Sequence, residues 1–419
     1  MFCINYKTGK LNKSLGLKGF IKTGIVKAAP VIWKNYVIIA TVDDQKIKFF
    51  NLKNEKKKYE INIHPLNRNF KGGSPWGGIS LDIKNNLLFI TTGNPRPALV
   101  GSSRKGPNKN ANSIIAIDLK KKKIAWTFQE VMHDLWDYDI ASPPLLASIR
   151  LNKILLDVVI ILTKTGNTLI FDRLTGESFH DITYGNVPGS NFIQEDVSPA
   201  QINSKIPERL IKLASSLDDL DERMMQEKKN IYEDINDYNF GKFIPPSFNK
   251  DTVIYGLHGG AQWPGGVFDP YSQNVYVQVN QIPWIIRIFA SSDMKPPENL
   301  KHIFGLYEEK CSECHQQNRS GIHVIKDEIK INYVPSLIKI FETANNDFKS
   351  FKKLFEKKHS FIIDNIELKK IHDLFLEWDN QILSKKEFNI NSYWSQFVYK
   401  DNYPATKPPW GEIVAINII

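Results

Sequence analysis

Short apolar stretches rich in Val, Ile, Phe and Tyr recur along the chain, and polar turn-forming residues separate them. Examples are NNLLFITTG, NSIIAIDLK, NVYVQVN and GEIVAINII. Apolar runs of about four to eight residues that are bounded by Gly, Asn, Asp or Lys are typical of β-strands. The pattern therefore predicts a protein built mainly from strands.

A weak repeat runs through these stretches. Its unit is a strand, an Asp or Asn near the strand end, a tight turn and a second strand, and it occurs in FCINYKTGKLN, IKFFNLKNEKKKYE, IIAIDLKKKKIAW and TLIFDRLTGESF. Repeated hairpins arranged radially form a β-propeller, which protects its sheet edges in this way. The repeat favours a propeller, and an ordinary β-sandwich is the alternative.

Two segments depart from the strand pattern. Residues 203–236 are charged, with Leu, Ile and Met at helical spacing, and predict a helical excursion at the surface. Residues 296–386 also change to a helical pattern, with IHDLFLEWDNQILS as an amphipathic final helix. Strand character returns at PPWGEIVAINII. The predicted organisation is strands over 1–295, a helical insertion over 296–386, and a linker with a returning strand over 387–419.

Length and charge narrow the class of protein. A chain of 419 residues with 42% hydrophobic residues is long enough for at least two folding units with real cores. The net charge of +10 comes from lysines spread through turns such as DLKKKKIAW, which is typical of a solvated surface. No recognised DNA- or RNA-binding motif accompanies the charge, so we expect no nucleic-acid partner.

The chain contains three cysteines, and no disulfide framework is predicted. Cys311 and Cys314 belong to one short motif, which leaves Cys3 alone. The N-terminal stretch MFCINYKTGKLNKSLG lacks the basic and apolar regions of a signal peptide, and no run of about 18 apolar residues occurs. As written, the sequence shows no export signal and no membrane anchor.

The most specific motif is CSECH at residues 311–315. In the CxxCH spacing, Cys311 and Cys314 can add to the vinyl groups of haem while His315 reaches the iron, because all three lie on one short helical turn. A zinc half-site is the alternative, but it requires two more ligands and no second Cys pair exists. The motif predicts covalently bound haem c.

The sixth ligand of the haem iron is less clear from sequence. Methionine is a common choice, yet no Met follows Met294. The remaining candidates are His323, His359 and His372. We favour His359 because it lies between two predicted helices, after a tract long enough to fold back over the ring. A solvated His359 with an open or weakly ligated iron is the alternative.

Several longer stretches resemble a known family. VMHDLWDYDIASPPLL followed by LTKTGNTLIFDRLTGE is similar to the quinoprotein dehydrogenases, which bind pyrroloquinoline quinone (PQQ) on an eight-bladed β-propeller. GGAQWPGGVFDPYSQNVYVQVNQIPWIIRI, the CxxCH segment and YPATKPPWGEIVAIN resemble the branch with a cytochrome c domain inserted between blades. The resemblance implies an all-β fold, namely a partial eight-bladed PQQ-type propeller with an inserted α-helical cytochrome c domain.

The resemblance also implies roles for four residues. Trp76 in GGSPWGG matches the tryptophan on which the PQQ ring stacks, and Asn94 in TTGNP matches an oxygen ligand of the divalent cation. Asp137 in HDLWDYD matches the catalytic aspartate, which also belongs to the metal site. Lys164 in TKTGN matches the lysine that hydrogen-bonds the reacting quinone carbonyls. Without the resemblance, Trp76 reads as a core residue and Asn94 as part of a turn.

Two further acids are candidate metal ligands. Asp139 lies two residues beyond Asp137, on the same side of an extended segment. Asp44 in ATVDDQ matches a further acidic ligand of the family, and a plain turn aspartate is the alternative. The implied metal is calcium or magnesium, with a lanthanide as the alternative because some relatives that use one carry an aspartate at the position of Asp139.

The implied function is oxidation of an alcohol or sugar hydroxyl. Asp137 would take the hydroxyl proton, PQQ would accept hydride, and electrons would pass to haem c and then to a respiratory acceptor. The alternative is a catalytically inactive partial propeller that carries haem as an electron-transfer or interaction module. Both hypotheses include a bound haem, and they differ in whether the protein binds PQQ.

The family members are longer at both ends and begin with an export signal. From this we expect the chain to be a fragment, with the remaining propeller segments supplied as separate chains or by adjacent sequence. Because haem attachment in the family takes place outside the cytoplasm, the expected location of the intact member is the periplasm.

Overall fold

The computed structural model describes most of the chain. The described residues are 1–53, 58–192, 194–223, 238–248, 250–321, 323–326, 330–333, 336–339, 347–398 and 402–418. Four α-helices are described: α1 (Lys301–Lys310), α2 (Ser312–His315), α3 (Phe348–Lys358) and α4 (Asn365–Lys385). Single-turn 3-10 helices occur at Leu217–Asp219 and Glu298–Leu300. None of the described helices is both long and apolar enough to cross a membrane.

Strands dominate the rest of the described chain, as the apolar pattern predicts. They are β1 (Val31–Trp33), β2 (Tyr36–Thr41), β3 (Lys46–Asn51), β4 (Lys58–Asn62), β5 (Lys71–Gly72), β6 (Ile79–Asp82), β7 (Leu87–Thr91), β8 (Pro95–Arg96), β9 (Ser113–Asp118), β10 (Lys123–Gln129), β11 (Leu145–Leu151), β12 (Ile154–Leu162), β13 (Thr168–Asp172), β14 (Tyr184–Asn186), β15 (Ala200–Ile202), β16 (Tyr238–Asn239), β17 (Asp251–Ile254), β18 (Gly260–Asp269), β19 (Asn274–Asn280), β20 (Trp284–Ser291), β21 (His323–Lys326), β22 (Lys330–Tyr333), β23 (Asn389–Gln396) and β24 (Gly411–Asn417).

The strands form a series of small sheets, most of them antiparallel. Four-stranded sheets have the orders β1-β2-β3-β4, β10-β9-β7-β6 and β16-β17-β20-β23. Three-stranded sheets have the orders β11-β12-β13 and β18-β19-β24. The pairing of β16 with β17 is parallel, and the other pairings in these sheets are antiparallel. Strands that follow one another in sequence are mostly neighbours in space, as in a meander.

Neighbouring sheets pack face to face through apolar layers. The first layer joins the β1–β4 sheet to the β6–β10 sheet and includes the fully buried Ile38, Phe49 and Ile115. The second joins β7 and β9 to β12 and β13, and the third joins β11–β13 to β18 and β19. Successive sheets that stack in this way are the arrangement of propeller blades.

The predicted hairpin repeat is partly regular in the structure. The stretch IIAIDLKKKKIAW forms the hairpin β9–β10, and IKFFNLKNEKKKYE supplies β3 and β4. In TLIFDRLTGESF the strand β13 is followed by one isolated bridge, from Phe171 to Ser178. The N-terminal copy FCINYKTGKLN has only the isolated bridge between Ile4 and Leu11.

The helical segment lies between two paired strands. Strand β20 ends at Ser291, α1–α4 follow, and β23 begins at Asn389 and pairs antiparallel with the full length of β20. The core of the insertion lies around Tyr307, Leu374 and Trp378 and continues to Ala290 of β20 and Ile390 of β23. The helices are thus an insertion into one sheet, and strand structure returns at Asn389, earlier than the stretch PPWGEIVAINII.

The prediction of a helical excursion over 203–236 is wrong for its first part. Residues 203–221 contain one single-turn 3-10 helix and one isolated bridge, from Leu220 to Thr406, and helical residues are described only at 222–223. Leu210, Ile211 and Leu213 are buried, and the Leu210 amide donates to the carbonyl of Gly166 at 2.8 Å. The apolar residues pack against the propeller strands rather than along one face of a helix. Residues 224–237 lie outside the described residues.

Candidate functional site

The segment after β10 is held by one buried carboxylate. Asp134 accepts hydrogen bonds from the amides of Trp136 and Tyr138, each at 2.8 Å, and from the side-chain amide of Asn112 at 2.9 Å. Burial raises the pKa of Asp134, and these hydrogen bonds act in the opposite direction. The guanidinium of Arg104 donates to the Asp134 carbonyl. These contacts fix the backbone that carries the next two acids.

Asp137 and Asp139 project from this fixed segment. Asp137 has a φ of +61°, in the left-handed region that a residue other than glycine rarely adopts. Such a conformation costs free energy and persists when surrounding contacts determine it. The side chain of Asp137 is 20% exposed and that of Asp139 is 9% exposed, so both carboxylates are largely removed from water.

Lys164 lies in the tight loop between β12 and β13. A second buried acid, Glu130, fixes this loop: it accepts from the Thr165 hydroxyl and from the Asn167 side-chain amide, the latter at 2.8 Å. The hydroxyls of Thr163 and Thr165 also pair, at 2.9 Å. The side chain of Lys164 is 8% exposed and points away from bulk water.

The structure brings the lysine and the two acids together. Lys164 Nζ donates to Asp139 Oδ2 at 3.0 Å, to Asp137 Oδ2 at 3.2 Å and to the Asp137 carbonyl oxygen at 2.8 Å. The backbone amide of Asn94 donates to Asp139 Oδ1 at 2.6 Å, and the side-chain amide of Asn94 donates to Asp137 Oδ1. We call Asn94, Asp137, Asp139 and Lys164 the acid–lysine cluster.

The charges in this cluster depend on one another. Burial raises the pKa of Asp137 to about 6, although the Lys164 ammonium opposes this shift. Burial alone disfavours the charge on Lys164, but Asp139 and Asp137 outweigh it and raise the pKa of the lysine. Lys164 therefore stays protonated, and Asp137 is a carboxylate that gains or loses its proton close to neutral pH.

A cavity of about 360 Å³ opens beside the cluster, and Trp76, Asn94, Arg96 and Asp139 contribute to its lining. The Trp76 indole nitrogen donates to Asp139 Oδ1 at 3.4 Å, which is a long contact. A Cβ on Gly93 would lie 2.3 Å from Asp139 Oδ1 and 2.6 Å from the Trp76 indole nitrogen. Only glycine at this position leaves the aspartate and the tryptophan in place.

The chemistry of this cavity fits PQQ. Its volume is within the range of small-molecule sites, Trp76 offers a flat apolar ring for stacking, and Arg96 and Lys27 add positive charge near the wall. PQQ is a flat, negatively charged quinone, so an aromatic face with basic neighbours is complementary to it. The cluster adjoins the same cavity through Asn94 and Asp139.

The cluster also has the donor types of a hard-cation site. Two carboxylates and the Asn94 side chain are oxygen donors, and a calcium ion takes about six to eight such ligands, so other ligands are needed to complete a shell. Among the residues that the structure describes, no group of three or more His, Cys, Asp or Glu side chains is arranged to hold a metal. The third donor here is an amide rather than an acid.

Asp44 is not part of the cluster. Its carboxylate forms an ion pair with Lys48 at 2.7 Å and accepts a hydrogen bond from Thr41, so both contacts lie within the β2–β3 hairpin. Burial would raise its pKa, but these partners prevail and lower it. The structure thus does not bring Asp44 into contact with Asn94, Asp137, Asp139 or Lys164, and a metal-ligand role for Asp44 stays a prediction.

Three contributors were not recognised from the sequence. Asp134 and Glu130 lie in the same stretch as Asp137 but hold the backbone rather than face the cavity. Arg96, two residues after Asn94, lines the cavity. The signal for Arg96 was its position in the TTGNPRP turn, while no local pattern separates a structural acid from an acid of the site.

The CSECH motif consists of Cys311, which separates α1 from α2, and the four residues of α2. The amide of His315 donates to the Cys311 carbonyl at 2.9 Å, which places both cysteines and the histidine on one helical turn, as predicted. His315 is buried, Cys314 is exposed and Cys311 is partly buried. Burial, with a smaller contribution from Cys314, raises the pKa of Cys311 to about 11. The spacing and the free thiols fit covalent haem attachment.

The three candidates for a sixth haem ligand differ in their positions. The ring of His359, at the end of α3, lies 6.1 Å from the ring of His315 between centroids. His372 is buried in α4, where its ring packs against the rings of Phe351 and Phe348. The side chain of His323 lies outside the described residues.

Comparison with known proteins identifies this combination of features. Stacked antiparallel sheets with a buried acid–lysine cluster beside a tryptophan-lined cavity define a propeller protein with a site for a polar ligand. Over residues 46–327 the chain matches the family described as "PQQ: Glucose/ethanol/alcohol dehydrogenase, beta-propeller domain". The chain belongs to this family of quinoprotein dehydrogenases, and its fold is a PQQ-type β-propeller.

Individual relatives agree with this family. The chain is 28% identical over 239 residues to the quinoprotein glucose dehydrogenase of Escherichia coli, with 56% of this chain and 30% of the relative covered. It is 29% identical over 229 residues to the glycerol dehydrogenase large subunit of Gluconobacter thailandicus, with 52% and 30% covered. The chain thus spans less than a third of the length of these relatives.

Among solved structures, the chain is similar to the quinohemoprotein alcohol dehydrogenase of Comamonas testosteroni. The two are 18% identical, with 71% of this chain and 43% of the other covered and a TM-score of 0.45.

Proposed function

We propose that the chain is part of a PQQ- and divalent-metal-dependent dehydrogenase that oxidises an alcohol or sugar hydroxyl and passes electrons through haem c to a respiratory acceptor. The observation that carries the proposal is the Lys164 ammonium bonded to both Asp137 and Asp139 beside the cavity that Trp76 lines. A buried carboxylate can take a proton from a hydroxyl, and a cation beside it can stabilise negative charge that develops during the reaction.

Asp137 acts as the general base in this proposal. Its Oδ1 accepts from Asn94, so Oδ2, which has only the 3.2 Å contact to Lys164, is the atom that takes the substrate proton. A pKa of about 6 leaves the carboxylate ionised at neutral pH yet still basic enough to hold a proton. When bound, the quinone cofactor supplies the acceptor for the hydride that leaves the same substrate carbon.

Lys164 orients the cofactor and stabilises negative charge on its oxygens. An ammonium has three N–H donors, and in this structure three oxygen atoms of Asp137 and Asp139 accept from it. A bond to a cofactor oxygen therefore requires Lys164 to share or release one of these contacts. Trp76 supplies the stacking surface, and Asn94, Asp137 and Asp139 would contribute oxygen ligands to calcium, magnesium or a lanthanide.

The helical insertion is the electron-transfer part of the proposal. Cys311 and Cys314 would attach haem covalently, and His315 would bind its iron. The complete propeller would have eight blades, the insertion over 296–386 would be a cytochrome c domain, and the location would be the periplasm, where covalent haem attachment occurs.

The test is substrate-dependent haem reduction. The chain, exported in a host that attaches c-type haem and supplied with PQQ and calcium, should reduce its haem when alcohols or sugars are added. Asp137→Asn should abolish this reduction, because an amide cannot take the proton. Asp44→Asn is the matched control, since this acid lies outside the cluster, and should retain activity. Equal reduction by both variants would refute the role of Asp137.

The second candidate is an inactive propeller that carries haem for electron transfer or interaction. It is favoured by the independence of the two sites: the CSECH turn is formed within the helical insertion and needs none of the acid–lysine cluster. It predicts covalent haem without binding of PQQ. A PQQ titration that quenches tryptophan fluorescence in the wild type and not in Trp76→Leu would speak against it.

A further inference from the structure

Two histidine rings approach each other inside the helical insertion. His315 lies on α2, next to the two cysteines, and His359 lies at the C-terminal end of α3. Their ring centroids are 6.1 Å apart and the ring planes are inclined by 49°. The two residues come from different helices, so their proximity results from the fold of the insertion and not from sequence neighbourhood.

The separation has the size expected for two imidazoles that share one metal ion. An imidazole nitrogen binds a metal at about 2 Å, so two nitrogens on opposite sides of the ion are about 4 Å apart and the ring centroids about 6 Å apart. The observed 6.1 Å agrees with this value. The two ring planes are far from parallel, so stacking of the imidazoles does not explain why they lie close together.

The surroundings of His359 leave one of its nitrogens for such a bond. Its Nδ1 lies 3.1 Å from the carbonyl oxygen of Phe355, and a carbonyl accepts only from a protonated nitrogen. In a neutral ring with this tautomer, Nε2 carries the free lone pair, and histidines that bind metals commonly donate the other ring N–H to a carbonyl in this way. The rings of Phe355 and Phe361, at 4.4 and 5.4 Å, pack against the imidazole.

The other candidate ligands lack this combination. His372 Nδ1 pairs with Asp373, and its buried Nε2 has no hydrogen-bond partner among the described atoms. The imidazole of His372, however, packs against phenylalanine rings and not against His315. Met294 packs into the apolar core of the insertion and precedes α1. Among the described residues, His359 is the candidate whose ring lies beside His315.

We propose that His315 and His359 are the two axial ligands of the haem held by Cys311 and Cys314, which makes this a bis-histidine cytochrome centre. The inference rests on the haem part of the proposed function. Methionine as sixth ligand raises the reduction potential of a c-type haem, so two imidazoles place the potential of this centre below that of a histidine–methionine haem. The haem then suits an acceptor of low potential.

Absorption and electron paramagnetic resonance spectra of the oxidised chain test the ligands without any enzymatic activity. The wild type should show a low-spin ferric haem without the methionine–iron charge-transfer band, and its ferrous form should react slowly with carbon monoxide. His359→Ala should become high-spin and bind carbon monoxide at once, and added imidazole should restore the low-spin spectrum. His359→Met should raise the reduction potential.

Two further variants serve as controls. His302→Ala removes an exposed histidine of α1 and should leave the spectra unchanged. If His372→Gln rather than His359→Ala converted the haem to high spin, with helix content preserved by circular dichroism, the inference would be overturned. A methionine–iron band in the wild type would overturn it as well. Covalent haem is measured separately by the pyridine haemochrome of denatured protein: its absence would overturn the proposed haem function itself, and the ligand assignment with it.

Discussion

The two candidate sites of this molecule are assembled in opposite ways. The acid–lysine cluster draws Asn94, Asp137, Asp139 and Lys164 from three separate loops, and direct hydrogen bonds join them. The CSECH site takes its two thiols and one histidine from a single helical turn, and the neighbouring ring of His359 comes from the end of another helix. One site is made by tertiary contacts between charges, the other mainly by local sequence.

The difference follows from the cost of burying charge. An ammonium and two carboxylates that are largely removed from water are tolerated only when they pair with one another, so the cluster must form as the propeller folds. Thiols carry no such requirement, because burial keeps Cys311 protonated with a raised pKa of about 11. The propeller site should therefore be sensitive to loss of one charge, and the haem site to loss of one ligand.

The largest effect is expected from Lys164→Met. The variant leaves Asp137 and Asp139 buried beside each other without a compensating cation, which should lower the free energy of unfolding by about 3–5 kcal/mol. Under the proposed function, substrate-dependent haem reduction should fall by about two to three orders of magnitude, since the buried positive charge beside the base is lost. Urea unfolding followed by tryptophan fluorescence measures the first effect.

Lys84→Met is the control for this comparison. Lys84 pairs with Asp157 at 3.1 Å, but its side chain is 79% exposed, so its loss should change the free energy of unfolding by less than about 1 kcal/mol. If Lys164→Met and Lys84→Met lowered the free energy of unfolding equally, burial would not be the reason that the acid–lysine cluster is sensitive to the loss of one charge.

A second test asks whether the helical insertion contains its own buried charge. Arg319 is fully buried, pairs with Asp379 at 2.6 Å and lies 4.3 Å from the ring centroid of Trp378. Arg319→Met should destabilise the insertion by about 3 kcal/mol because Asp379 loses its partner. Far-ultraviolet circular dichroism during urea unfolding reports the loss of helix.

Lys352→Met is the matched control, as its contact with Glu356 at 3.7 Å is partly exposed and should contribute little. PQQ binding should survive Arg319→Met. Loss of both haem attachment and PQQ binding in this variant would show that the two regions fold as one unit and not as separate cores.

Local sequence explains why some features were predictable. The strands, the CSECH turn and a shared site for Asp137 and Lys164 were expected, whereas the direct contacts of Lys164 with Asp137 and Asp139 are seen only in the structure. Each rests either on a repeated apolar pattern or on a motif of a few residues. The proximity of Lys164 to Asp137 was available only through the resemblance to a family, since no physical rule connects two loops that far apart in sequence.

The failed helix prediction has a physical cause. The apolar spacing of Leu210, Ile211 and Leu213 suggested a helix, but their side chains pack against the propeller strands, and tertiary packing overrides the periodic pattern. For Asp44, the resemblance implied a metal-ligand role, and the sequence did not reveal that Thr41 and Lys48 of the same hairpin are its partners. Acidity is visible in sequence, but the partner of an acid is not.

Gly93→Ala should have a smaller effect that is confined to the propeller site. The new methyl group would lie 2.3 Å from Asp139 Oδ1, so the aspartate or Trp76 must move, at a cost of about 2 kcal/mol. PQQ affinity should fall while the haem spectrum stays unchanged. Gly189→Ala, where no atom lies within 4 Å of the added Cβ, should affect neither. Normal PQQ affinity in Gly93→Ala would show that Trp76 and Asp139 need not keep their present positions.

The last prediction concerns the effect of pH on the acid that positions Lys164. Burial raises the pKa of Glu130 above its ordinary 4.5, against the opposing hydrogen bonds from Thr165 and Asn167. The folded state therefore holds this proton more tightly than the unfolded state, and the stabilisation is complete below pH 4.5 and is lost as the pH rises through the folded pKa.

Glu130→Gln keeps an oxygen acceptor for both donors without the ionisation. The free energy of unfolding of this variant should match that of the wild type below pH 4.5. Between pH 4.5 and the folded pKa of Glu130 it should exceed the wild-type value by up to about 1.4 kcal/mol per pH unit. Urea unfolding at several pH values measures the difference, and a constant offset at all pH values would mean that folding leaves the pKa of Glu130 unchanged, with the effect of burial cancelled by Thr165, Asn167 and Arg209.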